Sequence, residues 1–110
     1  MGYVTLLKTK ELRNKNLQQK ALREAQMLSA LLKKDFEYEA LYLIGSAVKE
    51  KGFHYRSDID FVIKGLKKEC FFKALALLMK NCSFEVDLKP WEELSENGRV
   101  QVEKEGRILQ

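Results

Sequence analysis

The run Ser57-Asp58-Ile59-Asp60-Phe61 holds the residues best suited to chemistry. Asp58 and Asp60 stand two apart at the start of a β-branched, apolar stretch, and in a strand residues i and i+2 point to the same side. Two carboxylates held side by side repel each other, which costs stability unless a cation sits between them. A second strand-like run, Phe84-Glu85-Val86-Asp87-Leu88, puts its apolar residues on one face and Glu85 and Asp87 on the other. With that strand laid beside the first, Asp87 approaches Asp58 and Asp60. Three hard oxygen donors with room for water are what Mg²⁺ prefers, and two such ions can flank an in-line phosphoryl displacement. A D-x-D pair alone is usually a solvated strand end or turn, and the third acid lowers that reading only somewhat.

Gly45-Ser46 follows the short apolar run Leu41-Tyr42-Leu43-Ile44. A helix opening there would offer free backbone N–H groups and a favourable dipole to an anion, with glycine allowing close approach and serine adding a donor. The segment is neither a G-x-x-x-x-G-K-[ST] loop nor a G-x-G-x-x-G loop. A lone Gly-Ser is most often only a turn, so its value lies in the order of strand, Gly-Ser, short helix, and strand with two acids. Eleven residues separate Ser46 from Asp58, enough for a short helix and a return to an adjacent strand. A triphosphate held at Gly45 and Ser46 would then bring its metal-bound oxygens to the acids. Lys49, Lys51, His54, Tyr55 and Arg56 line the connection. Lys49 and Arg56 are the candidates for nucleotide binding, although each position alone reads first as an exposed loop residue.

The elements that must position these residues follow from periodicity. Residues 9–34 lack Gly and Pro, are rich in good helix formers, and carry Leu17, Ala21, Met27 or Leu28, Leu31 and Leu32 near three- and four-residue spacing. They predict an amphipathic helix. Strands are expected over 41–44, 59–64 and 84–88, the last stopped by Pro90. A helix of one to two turns is expected from an N-cap at Ser46 to Gly52. Further helices are expected over 67–80, with Phe71, Leu75, Leu78 and Met79 on one side, and over 91–105, weakened by Gly98 and capped by Gly106. Residues 107–109 read as a short last strand. The order α-β-(short α)-β-α-β-α-(β) implies an α/β (α+β) fold, a small mixed sheet with helices packed on it.

The 110 residues predict one domain, 1–110, made of a basic amphipathic helix over 1–37 and a catalytic core over 38–110. Hydrophobic residues at 45% and charged residues at 33% are a soluble globular balance. No stretch approaches a membrane span, and residues 1–10 hold no secretory signal, so the expected location is cytoplasmic. The net charge of +4 is uneven: residues 1–34 carry eight bases and two acids, or +6, which leaves −2 for the remainder. The basic helix invites a nucleic-acid reading, but a solvated helix face is the commoner explanation, and the acid cluster would repel phosphate unless metal is present. Cys70, Cys82 and the single His54 cannot form a zinc site, and both cysteines are expected as buried thiols.

Taken together, Leu43-Ile44-Gly45-Ser46, Ser57-Asp58-Ile59-Asp60-Phe61 and Val86-Asp87-Leu88 resemble the minimal nucleotidyltransferase domain of the DNA polymerase β-like superfamily. Residues 102–109 also look like the closing helix and strand of that family. The resemblance covers about residues 39–110. It implies that Asp58 and Asp60 ligate Mg²⁺, that Asp87 is the third carboxylate, acting as ligand or as base for the incoming hydroxyl, and that Gly45 and Ser46 hold the phosphates of ATP or another nucleoside triphosphate. It also implies a partner, since short members are often the antitoxin half of a pair with an all-helical HEPN-type ribonuclease toxin, and some transfer AMP to a tyrosine of that toxin. The sequence departs from the family where many members carry arginine after Gly-Ser. Ala47-Val48-Lys49-Glu50-Lys51-Gly52 has none, and lysine does not reproduce a bidentate arginine contact. So short a chain leaves little for an acceptor site, which a partner or a second copy would complete. The alternative reading is a non-catalytic binding module that neutralises a helical partner by occlusion.

Overall fold

The computed structural model of the chain describes residues 2–109. Met1 and Gln110, the ends of the expected 1–110 span, lie outside the described residues. Helix α1, Gly2–Asp35, is followed by strand β1, Ala40–Ile44, a 3₁₀ turn at Gly45–Val48, and strand β2, Ile59–Lys64. A 3₁₀ turn at Lys68–Cys70 leads into helix α2, Phe71–Lys80, and then strand β3, Val86–Pro90. A last 3₁₀ turn, Trp91–Glu93, precedes helix α3, Glu96–Glu105, and strand β4, Arg107–Leu109. The strands form one sheet in the order β3-β2-β1-β4. β1 is antiparallel to both β2 and β4, whereas β2 and β3 are parallel. A parallel pair needs a crossover, and α2 supplies it.

Alternation along the strands divides the sheet into two unlike faces. On one, Leu41, Leu43, Ile59, Phe61, Ile63 and Leu88 are buried beneath α1 and α2. Ala21, Ala25, Leu28 and Leu32 give α1 its buried seam, at spacings of four, three and four. Met27 is 45% exposed, so Leu28 is the core residue of that expected pair. From α2, Ala74 and Leu78 are buried, but Met79, expected on the same side, is 54% exposed. On the other face Tyr42, Val62 and Val102 form a small second core, with Ala40, Ile44, Trp91 and Leu94 packed against it. Tyr42 stacks on Trp91 with ring centroids 5.6 Å apart.

Several expected elements are corrected. α1 lies within the expected helix over 1–37 and extends the periodic stretch at 9–34 back to Gly2, because nothing in residues 3–8 breaks a helix. At about 1.5 Å per residue its 34 residues span about 51 Å, close to the molecule's 55 Å long axis. Residues 8–13 stand exposed. The third strand runs to Pro90 rather than stopping before it, because β3 is an edge strand, where a proline's missing N–H goes unnoticed. The expected helix over 91–105 is broken at Leu94 and Ser95, and Ser95 caps α3 by accepting the Gly98 N–H at 3.0 Å. Gly106 does cap α3, at an ordinary negative φ. It is required by crowding, since a Cβ there would lie 2.6 Å from the Val102 carbonyl. Both cysteines are free thiols, half-buried rather than fully buried, and burial pushes the Cys82 thiol up. No described helix is long and apolar enough to cross a membrane.

Candidate active site

β2 carries the first two acids. Asp58 immediately precedes the strand and is exposed, and Asp60 is its second residue and half-buried. Asp60 pairs across the antiparallel ladder with Ile44, the last residue of β1. The chain therefore turns at Gly45 directly over the Asp60 carboxylate. Gly45 has φ +78°, and a Cβ there would sit 2.5 Å from Asp60 Oδ2. Both the left-handed backbone and the close approach demand glycine at this position.

β3 carries the third acid. The parallel register places Asp87 opposite Asp60. Asp60 senses the whole group: its carboxyl is held above the usual carboxylate range first by burial, then by the charges of Asp87 and Asp58, with Lys89 opposing. Lys89 is not among the expected site residues. Two residues beyond Asp87 on the same strand, it shares the acid face, and its Nζ lies 3.0 Å from Asp87 Oδ2. Its ammonium is held above the ordinary lysine range, first by the hydrogen bond to Asp87 and then, against partial burial, by the charges of Asp87 and Asp60. The sequence signal was present, since a base at i+2 from a strand acid always shares its face.

The donor chemistry suits a hard divalent cation, with oxygen-only carboxylates, one of them half-buried and destabilised by its neighbours. A glycine cradle also keeps side-chain bulk off Asp60. As the side chains stand, no group of three or more His, Cys, Asp or Glu among the described residues is arranged to hold a metal ion. Asp87 instead engages Lys89.

The short helix expected after Gly45 is overturned. Gly45–Val48 is a single 3₁₀ turn with no side-chain cap, and Ser46 lies inside it rather than capping it. A turn of four residues has almost no dipole to offer, so anion binding there would rely on local N–H groups and the Ser46 hydroxyl. The turn is held from a distance. Gln18 of α1 donates through Nε2 to the carbonyls of Lys49 at 2.7 Å and Ala47 at 2.9 Å, with Ser46 O at 3.4 Å. Sequence reasoning had no means of finding a contact across some thirty positions.

α1 also grips the turn before β3, where Glu24 accepts from the Ser83 N–H at 2.8 Å and from the Ser83 hydroxyl at 2.5 Å. The two candidate nucleotide-binding bases do not meet. Lys49 shares a small hollow with Gly45, Gln101 and Glu105, whereas Arg56 lines a wider groove with Leu17, Lys20 and Tyr55. Arg56 stacks over the Tyr55 ring, 5.4 Å from its centroid.

A four-stranded mixed sheet backed by helices, with Gly-Ser and three acids on or beside two adjacent strands, is the nucleotidyltransferase type of α+β fold. The sequence profile of the polymerase beta nucleotidyltransferase domain matches residues 26–110. The chain belongs to that family and by that membership is a nucleotidyltransferase. Among solved structures it is similar to a toxin–antitoxin crystallised with AMP-PNP, at 24% identity and a TM-score of 0.64, covering 79% of this chain and 72% of that one. It is also similar to the toxin–antitoxin MntA–HepT, at 22% identity and a TM-score of 0.58, covering 81% and 70%. At these identities the likeness establishes the fold. Among curated proteins, none matches the chain in sequence. Gln18 and Glu24, which hold the two loops beside the acids, both precede the matched region.

Proposed function

We propose that this chain transfers a nucleotidyl group, AMP by preference, from a nucleoside triphosphate to a hydroxyl on a protein partner, using Mg²⁺, and that the partner is the toxin it restrains. The observation that carries this reading is the shared acid face, with Asp60 opposite Asp87, Asp58 two residues before it, and Gly45 folded directly over it. Mutual repulsion of that kind is costly to keep without a use for it. The neighbour crystallised with AMP-PNP and the MntA–HepT pair support the nucleotide and the partner class.

Asp58 and Asp60 would hold the metal, with Asp87 as the third ligand or as the base that receives the acceptor hydroxyl's proton. Mg²⁺, when bound, neutralises charge on the triphosphate and on the leaving pyrophosphate. Gly45 and Ser46 leave space and donors for phosphate beside the acids. Lys49 and Arg56, lying in separate hollows, would meet different parts of the nucleotide. Catalysis by such a set is positioning and charge neutralisation.

The test is label transfer from α-³²P-ATP with Mg²⁺ to a co-purified partner. The double substitution Asp58→Asn with Asp60→Asn is expected to abolish labelling, and omission of Mg²⁺ should do the same. Transfer that survives both would remove the mechanism. Full protection of cells by the double variant would instead favour neutralisation by occlusion.

A further inference from the structure

The acid face already contains a cation of its own. Lys89 is placed there by strand alternation, and its ammonium reaches Asp87 at 3.0 Å while its charge also acts on Asp60. Lys89 and Asp87 are each about half exposed, at 53% and 46% of their side-chain surface, so nothing locks the pair shut. An ammonium has three donors and no lone pair, so it cannot join a metal's ligand shell. Lys89 takes only Oδ2 of Asp87 and leaves Oδ1 for a divalent ion, but the ammonium and the ion compete for the carboxylate's charge and repel each other.

We infer that Lys89 is a resident counter-ion of the acid cluster, which positions Asp87 in the metal-free protein and competes with a divalent ion for its charge. The inference rests on the reading of Asp58, Asp60 and Asp87 as metal ligands. It accounts for Asp87, which the register sets opposite Asp60, engaging Lys89 in the described structure. It also gives Lys89 a definite effect, which is to weaken metal binding. An exposed ion pair is weak and a divalent ion interacts with each carboxylate twice as strongly as a single charge, so Lys89 delays the ion without excluding it.

The experiment measures Mn²⁺ binding alone, by the electron paramagnetic resonance signal of the free ion, at low ionic strength and without nucleotide. Lys89→Met is expected to bind Mn²⁺ about fivefold more tightly than the unsubstituted chain. Lys89→Arg, which keeps the cation, should leave affinity within about twofold of the unsubstituted chain. In an Asp87→Asn background the gain from Lys89→Met should shrink below about twofold, because the pair it breaks no longer exists. Screening by about 0.5 M salt should compress all these differences. Unchanged or weaker binding by Lys89→Met would overturn the inference, as would an undiminished gain in the Asp87→Asn background. If the unsubstituted chain and Lys89→Met both fail to bind Mn²⁺, the reading of the acids as ligands fails first, and this inference with it. Circular dichroism of each variant separates loss of binding from loss of fold.

Discussion

The two faces of the sheet come from the same strands and meet opposite fates. In β2, Ile59, Phe61 and Ile63 are buried beneath α1 and α2, while Asp60 faces the other way beside Val62. The helix-covered face is a continuous apolar layer from Leu41 to Leu88. The opposite face has a small core around Tyr42, Val62 and Val102, with Lys64 over the Trp91 ring, and beside it the acids, Lys89 and a glycine turn. A period of two lets one strand serve stability on one side and chemistry on the other, since burying Phe61 fixes where Asp60 must point. A register slip of one residue would drive the acids into the core, so the apolar face also protects the geometry of the polar one.

The largest expected effect tests the covered face. Phe61→Ala removes a fully buried ring from the centre of the layer and should cost about 3–5 kcal/mol in denaturant unfolding. That is a large part of the total stability of a domain this size. A cost below about 1 kcal/mol would mean that the face beneath α1 and α2 is not what holds the sheet.

A smaller effect tests the link between the faces. Gln18 lies on the covered side but holds the turn that cradles Asp60. Gln18→Ala leaves the turn carbonyls to water and should cost about 1 kcal/mol. It should also raise the KM for the nucleotide more than it lowers kcat, because the Gly45-Ser46 backbone loses its fixed position. If KM is unchanged, the turn stands without α1, and the two faces are independent.

The legible and illegible parts of the molecule divide on the same physical line. The strand at residues 59–64 was readable to the residue, because Ile59, Phe61 and Ile63 alternate with the acids in a run bounded by Gly65. The placing of Asp87 opposite Asp60 is readable as a consequence of two alternating runs lying side by side. The short helix after Gly45 was misread because Ser46 and Gly52 look like local caps, whereas the turn is held by Gln18 from α1. Met79 was misassigned because helical spacing gives a face but not the width of the neighbour that covers it. Lys89 went unnoticed because its role is defined by Asp87, not by its own type. Local pattern fixes alternation and element type, and long-range side-chain contacts decide the turns that complete the site.

The smallest effect has the opposite sign, and it tests whether the open face trades stability for chemistry. The Asp60 carboxyl is raised in the folded chain by burial first, then by Asp87 and Asp58, while Lys89 pulls the other way. A raised carboxyl means that the folded state holds the Asp60 proton more tightly than the unfolded chain does. Stability then falls as pH rises from the ordinary aspartate range through the raised folded value, and the full cost is present at neutral pH. Asp60→Asn removes that cost and should raise the melting temperature of the metal-free protein by about 2 °C at neutral pH. The gain should fade as pH drops below the ordinary range for aspartate, where the unsubstituted side chain is protonated in both states. Added Mg²⁺ should raise the melting temperature of the unsubstituted chain and leave Asp60→Asn nearly unmoved, because a ligand stabilises only the state that binds it. An Asp60→Asn variant that melts lower than its parent at neutral pH would show that the acid is held for the fold rather than against it.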